Sequence, residues 1–154
     1  MPPLLEPRVL GDTLNLLAEL SAACHQAEND FRQGGESAQA EDVRALLRRR
    51  AEDYKSAAGE LLAHLHRLEG QGATQRGTSP PAWRAAPATL AAHSDAVTLE
   101  HCERLEDALL ERYADALASP LEPASKEVLL AQRLEIRQQH ELLRAMRDRV
   151  RGLG

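Results

Sequence analysis

The chain has 154 residues and a mass of 16.9 kDa, one domain's worth of protein. Ala and Leu supply 26 residues each, Val and Ile together six, and aromatics only 3%. Sheets need β-branched and aromatic residues, so this composition excludes a β protein and argues against an α/β sheet. A net charge of −5 argues against a dedicated nucleic-acid binder. No apolar run approaches the ~20 residues that cross a bilayer, which argues against a membrane protein. Two cysteines, Cys24 and Cys102, are too few for a disulfide scaffold, and no signal peptide is visible at Met1-Pro-Pro-Leu-Leu. The expected location is cytoplasmic.

Four helix-period stretches follow one another. The first runs from about Asp12 to Gln33, with Asp12 or Thr13 as N-cap and Gly34-Gly35 as the stop. The second runs from about Ser37 to Glu69 and ends at Gly70. A Gly/Pro/Ser/Thr-rich stretch over about residues 70–93 follows, with a short helix expected around Trp83 or Leu90. The third helix starts at Ser94, a good N-cap, and runs to about Ala118. Ser119-Pro120 and Pro123 break the chain, and the fourth runs from about Pro123 or Ser125 to Arg151. Two short connections and a long middle one predict a single domain. The expected fold is an all-α, ferritin-like four-helix bundle of two antiparallel hairpins joined by a crossover, with a simple up-down bundle carrying an oversized disordered loop as the alternative. At ~3.3 Å per residue the middle segment is long enough to travel the whole bundle.

Projection at the helical period gives each helix an apolar stripe with a polar interruption near its middle. Helix 1 buries Leu10, Leu14, Leu17, Ser21, Cys24, Glu28 and Phe31. Helix 2 buries Val43, Leu47, Arg50, Tyr54, Ala57, Leu61, Leu65 and Leu68. Helix 3 buries Leu99, Cys102, Glu106, Leu109, Tyr113 and Leu117. Helix 4 buries Val128, Leu129, Gln132, Ile136, Gln139, Leu143, Met146 and Val150, with Glu135 at its edge.

Glu28 and Glu106 each lie four residues after a cysteine, in a weak internal repeat. Single carboxylates on the first and third helices are where a di-iron carboxylate bundle places two ligands. The Glu-x-x-His that such a site needs on each of the other helices is missing. Glu135 is followed at the third position by Gln138, and His140 comes two residues later. Two readings follow. In one, Glu28, Glu106, Glu135 and His140 hold iron or another divalent metal. In the other, a polar core layer forms, in which Arg50 pairs with Glu28, Glu106 or both and Tyr54, Tyr113 and glutamines such as Gln139 complete the hydrogen bonds. Arg50 favours the polar layer, because a cation inside the bundle substitutes for a metal and repels one.

The third helix, Glu100-His-Cys-Glu-Arg-Leu-Glu-Asp and on to Tyr113, is similar to the ECERGED…Y pattern of a bacterial ferritin-like four-helix-bundle family of unknown function. Glu28-Asn-Asp-Phe-Arg resembles that family's EEGFR-type turn, and Ala57-Ala-Gly-Glu-Leu its AAEL. Glu135-Ile with His140 resembles its fourth helix, and Trp83 matches a tryptophan it carries in the crossover. The chain departs from the pattern at Gln26-Ala27, where the family has Asp-Gly, and its crossover is richer in proline. The resemblance implies ferritin-like topology and adds little about activity.

No nucleophile–base pair, phosphate-binding loop or intact metal signature is present, so the expectation leans away from an enzyme. It is for a non-enzymatic accessory, stress-associated or scaffold protein needing no cofactor. The alternative is a ferritin-like metal-binding or di-iron redox protein with a degenerate carboxylate site. Leu62, Leu110, Leu130 and Leu134 lie off the main stripes and suit a homo-oligomer formed through helix faces. Glu60 and His64 share a face and read as a surface pair.

Overall fold

A computed structural model describes residues 7–70 and 94–153. Four helices account for nearly all of them: α1 (Pro7–Ser37), α2 (Glu41–Gly70), α3 (Asp95–Ala118) and α4 (Pro123–Leu153). Among the described residues there is no strand.

The helix ends follow local chemistry, with two corrections to the sequence reading. Among the described residues α1 already runs from Pro7, before Asp12 and Thr13, so neither of these is its N-cap. Thr13 is buried instead. Its hydroxyl donates to Val9 O at 2.8 Å and accepts from Glu122 N at 3.3 Å, tying α1 to the start of α4. Gly34-Gly35 does not stop α1, which continues to Ser37, so α2 starts at Glu41 rather than Ser37. Gly35 serves packing. A Cβ on Gly35 would lie 3.0 Å from Arg48 Cγ and 3.2 Å from Arg48 N, so its absence lets the end of α1 approach α2.

The first N–H groups around α2 are capped from another helix. Asp95 Oδ1 accepts from Gln39 N and Asp95 Oδ2 from Ala40 N, both at 2.9 Å. Ser94 caps α3 as its sequence suggests, accepting from Val97 N at 3.3 Å. At α4, burial pulls the Glu122 carboxyl upward, but the Ser125 hydroxyl and the N–H groups of Ser125 and Ala124 donate to it and hold it below the ordinary range.

These contacts also fix direction. The starts of α2 and α3 meet through Asp95, so the two helices begin at the same end of the bundle. The end of α2 meets the start of α4 through His64 and Ser125, and Arg149 near the end of α4 pairs with Asp42 near the start of α2. α2 and α4 are therefore antiparallel, as are α1 and α3. α1 packs most extensively on α2, and α3 on α4, with lesser α1–α3 and α2–α4 contacts. Gly70 and Asp95 thus stand at opposite ends of a four-helix bundle made of two hairpins. The expected crossover, with Trp83 and Leu90, lies outside the described residues.

Leucines and alanines dominate the core, joined by Phe31, Tyr54 and Tyr113. The predicted stripes are buried along their middles, while Leu10, Ala57, Leu117, Val128, Gln139, Met146 and Val150 are partly covered. α1 buries a wider face than projected, adding Leu20, Ala23 and Ala27, because it packs against both α2 and α3. Leu110 packs against the core rather than lying free, whereas Leu62, Leu130, Leu134 and Leu142 are exposed.

The candidate functional site: a buried charge cluster

Arg50 and Tyr54 are one turn apart on the inner face of α2, so both side chains enter the bundle together. Glu106 faces them from α3 and His140 from α4. The Arg50 side chain is 1% exposed and that of Glu106 is fully buried. Glu106 Oε2 accepts three hydrogen bonds: from Arg50 Nη2 at 2.6 Å, Arg50 Nε at 3.2 Å and Tyr54 OH at 2.6 Å. Its Oε1 accepts from His140 Nδ1 at 2.9 Å.

Burial alone would push Glu106 upward. The hydrogen bond from His140, the charge of Arg50 and the Tyr54 hydroxyl overcome it, and the carboxyl sits below its ordinary value. The same hydrogen bond to Glu106 raises His140 above its ordinary value, against its own burial. Burial opposes the charge on Arg50, but Glu106, Tyr54 and Asp53 keep the guanidinium ionised. Tyr54 is held protonated by burial and by Glu106, as its role as donor requires. The Arg50 guanidinium lies 5.0 Å from the Tyr54 ring centroid, and Phe31 packs on that ring at 5.3 Å. Arg50 Nη1 reaches outward to Asp53 at 2.8 Å.

A second polar group lies toward the other end. Tyr113 OH donates to Gln132 Oε1 at 2.6 Å and lies 3.4 Å from Cys24 Sγ, which leaves the thiol as donor to the tyrosine. Gln132 Nε2 donates to Ala57 O and to Glu60 Oε1. Burial pushes the Cys24 thiol up to about 11 and raises Cys102 still further. Both are neutral thiols at ordinary pH and serve as small core fillers.

The four residues read as metal ligands separate into three places. Glu106 and His140 are bonded to each other. Glu28 is buried, as expected, at the edge of the core, hydrogen-bonded to the more exposed Arg32 at 2.9 Å and His25 at 3.2 Å on its own helix. Glu135 is exposed on α4. Among the described residues no hydrogen bond or ion pair joins Glu28 or Glu135 to Glu106. Of the two partners expected for Arg50, the inner one is Glu106. Gln132 rather than Gln139 is the hydrogen-bonded glutamine of helix 4.

His64 corrects the sequence reading, since it is buried and has no bond to Glu60. Arg67 Nη2 lies 3.0 Å from His64 Nδ1, and an arginine N–H can only donate, so Nδ1 accepts. Nε2–H then donates to Ser125 Oγ at 2.8 Å, and Ser125 donates to Glu122 Oε2 at 2.7 Å. The proton runs from histidine toward serine, the reverse of an activated nucleophile. This chain of bonds fastens α2 to the start of α4.

Two features were missed from sequence. Asp107 approaches His140 Nε2 at 3.0 Å, and Glu103, buried on α3, faces Arg147 and Arg144. The spacing of Glu103, Asp107 and His140 within α3 and α4 was legible, but which faces adjoin was not.

No curated protein matches the chain. A family model matches residues 12–119, which takes in all of α2 and α3 and most of α1, while His140 lies beyond it. The chain belongs to the family described as a domain of unknown function, DUF2383.

Proposed function

We propose that this chain is a ferritin-like bundle whose centre is a structural polar layer, and that it acts as a non-enzymatic accessory or scaffold protein through its outer faces. The observation that carries this reading is the Arg50 guanidinium seated on Glu106 inside the bundle. Both oxygens of Glu106 are engaged by Arg50, Tyr54 and His140, so a metal there would have to displace them and sit beside a fixed positive charge. Glu28 and Glu135 are turned to other surroundings. The donor set therefore does not fit an iron pair. Parallel α2 and α3, each paired with an antiparallel partner, support the ferritin-like order of helices.

The outer faces supply the contact surface. Leu130, Leu134 and Leu142 line the outside of α4, with Leu134 57% exposed, and a homo-oligomer through this face fits them. No described helix is long and apolar enough to cross a membrane. A cytoplasmic site of action accords with the two reduced, buried cysteines.

The test is dioxygen consumption on adding ferrous iron to the full chain, alongside light scattering. The expected result is uptake no faster than in buffer, with oligomer mass lowered by Leu134→Glu. Iron-dependent uptake that disappears in Glu28→Ala would overturn the reading in favour of a redox centre.

A further inference from the structure

Outside the bundle centre, on the seam between α3 and α4, Glu103 and Asp107 stand one turn apart and share a face. His140 meets them from α4, and one ligand atom of each of the three lies within 4.8 Å of the others. The ring of His140 is oriented from behind. Glu106, an ionised acceptor, takes the Nδ1 proton, which leaves Nε2 facing Asp107 Oδ1 at 3.0 Å. A neutral imidazole in that pose would aim a lone pair at a carboxylate, so Nε2 must carry a positive partner, either a proton or a metal ion. A carboxylate holding one histidine nitrogen while the other nitrogen faces further carboxylates is the arrangement that orients a metal-bound histidine.

We propose that Glu103, Asp107 and His140 form a binding site for a single divalent transition-metal ion, with Glu106 as the positioning residue behind the histidine. One imidazole nitrogen and two carboxylates suit zinc, cobalt, manganese or ferrous iron better than calcium or magnesium, which prefer all-oxygen sets. Access is open, because the Asp107 side chain is 62% exposed. The site has competitors. Arg147 pairs with Glu103 Oε2, and Arg144 Nε lies 3.4 Å from Oε1. Arg144 is half-exposed and its contact is long, so Oε1 is the oxygen the ion takes. The ion, the two carboxylates and His140 would then bridge the helices of the second hairpin. The proposal shares the Glu106–His140 bond with the polar layer and leaves the bonds of Glu106 to Arg50 and Tyr54 in place.

The experiment titrates the chelator-treated full chain with Co²⁺ alone, followed by visible absorption, and with Zn²⁺ alone by calorimetry. Saturation at a single ion per chain is expected. Asp107→Asn, on an exposed side chain that folding does not need, should weaken binding by about tenfold or more. His140→Gln should abolish the cobalt spectrum of an imidazole-bound ion. Arg147→Gln, which removes a competing cation, should tighten binding, and Glu28→Gln should leave it unchanged. Absence of saturable binding would overturn the proposal, as would binding of unaltered affinity in Asp107→Asn and His140→Gln chains that retain their helical circular dichroism. Loss of binding in Glu28→Gln but not in Asp107→Asn would overturn it too, by moving the ion from the seam to Glu28. Only iron-dependent dioxygen uptake that Glu28→Ala removes bears on the reading of the centre, whereas Asp107→Asn tests the seam, so the two readings fail separately.

Discussion

Arg50 and Glu106 depend on each other. A buried charge without its partner is costly, whereas a well-packed apolar pair of similar volume can be neutral or better. Glu106→Gln leaves Arg50 buried and uncompensated, and should cost about 3–5 kcal/mol of stability by urea denaturation. The double replacement Arg50→Met with Glu106→Leu should recover most of that loss, and a double-mutant cycle gives the coupling. Glu28→Gln should cost far less, because its partners Arg32 and His25 are on the solvent side of α1. A loss of equal size at Glu28 would count against the separation of rim and centre.

At the level of the helices, glycine does two different things. Gly35 allows close approach at the α1–α2 corner, where a side chain would press on the backbone of Arg48. Gly35→Val should therefore destabilise the fold despite valine's better helix propensity. Gly59, exposed in the middle of α2, has nothing within 4 Å of an added Cβ. Gly59→Ala should stabilise by about 0.5–1 kcal/mol through helix propensity alone. Thermal melts of the two variants, moving in opposite directions, check the assignment. Asp95 holds the α1–α2 corner from across the bundle, since its carboxylate accepts from the N–H groups of Gln39 and Ala40 just before α2.

For the whole molecule, the charge cluster predicts a pH profile of stability. Glu106 is held below its ordinary value of 4.5, so its contribution is complete above about that pH and is lost as pH falls through the depressed value. Glu122 is shifted the same way and adds to this acid limb. His140 is held above its ordinary value of 6.5, so its contribution is complete below that pH and is lost as pH rises through the raised value. Metal-free protein should therefore be most stable between these two values, with urea midpoints falling on both sides. His140→Gln should flatten the alkaline fall, and an unchanged alkaline limb would show that His140 does not carry it.

The sequence by itself determined the class of the fold. Leu and Ala at helical spacing, Ser94, Ser119-Pro120 and Pro123 set four helices, because periodicity and capping are local properties. It also marked Glu106, Arg50, Tyr54 and His140 as polar groups on or near buried stripes, since each breaks or borders an apolar pattern. Tertiary structure decided what these groups do. Glu28 and Glu106 look equivalent in their Cys-x-x-x-Glu segments, yet Glu28 is bonded to His25 and Arg32 of its own helix, while Glu106 meets Arg50 and Tyr54 of α2 and His140 of α4. Gly35 looked like a stop, and only the nearness of Arg48 shows why a residue without a side chain stands there. His64 looked solvated until Ser125, distant in sequence, supplied a buried partner. Asp107 and Glu103 acquired their relation to His140 the same way, because a helix dictates which residues share its own face but not which face of another helix lies opposite.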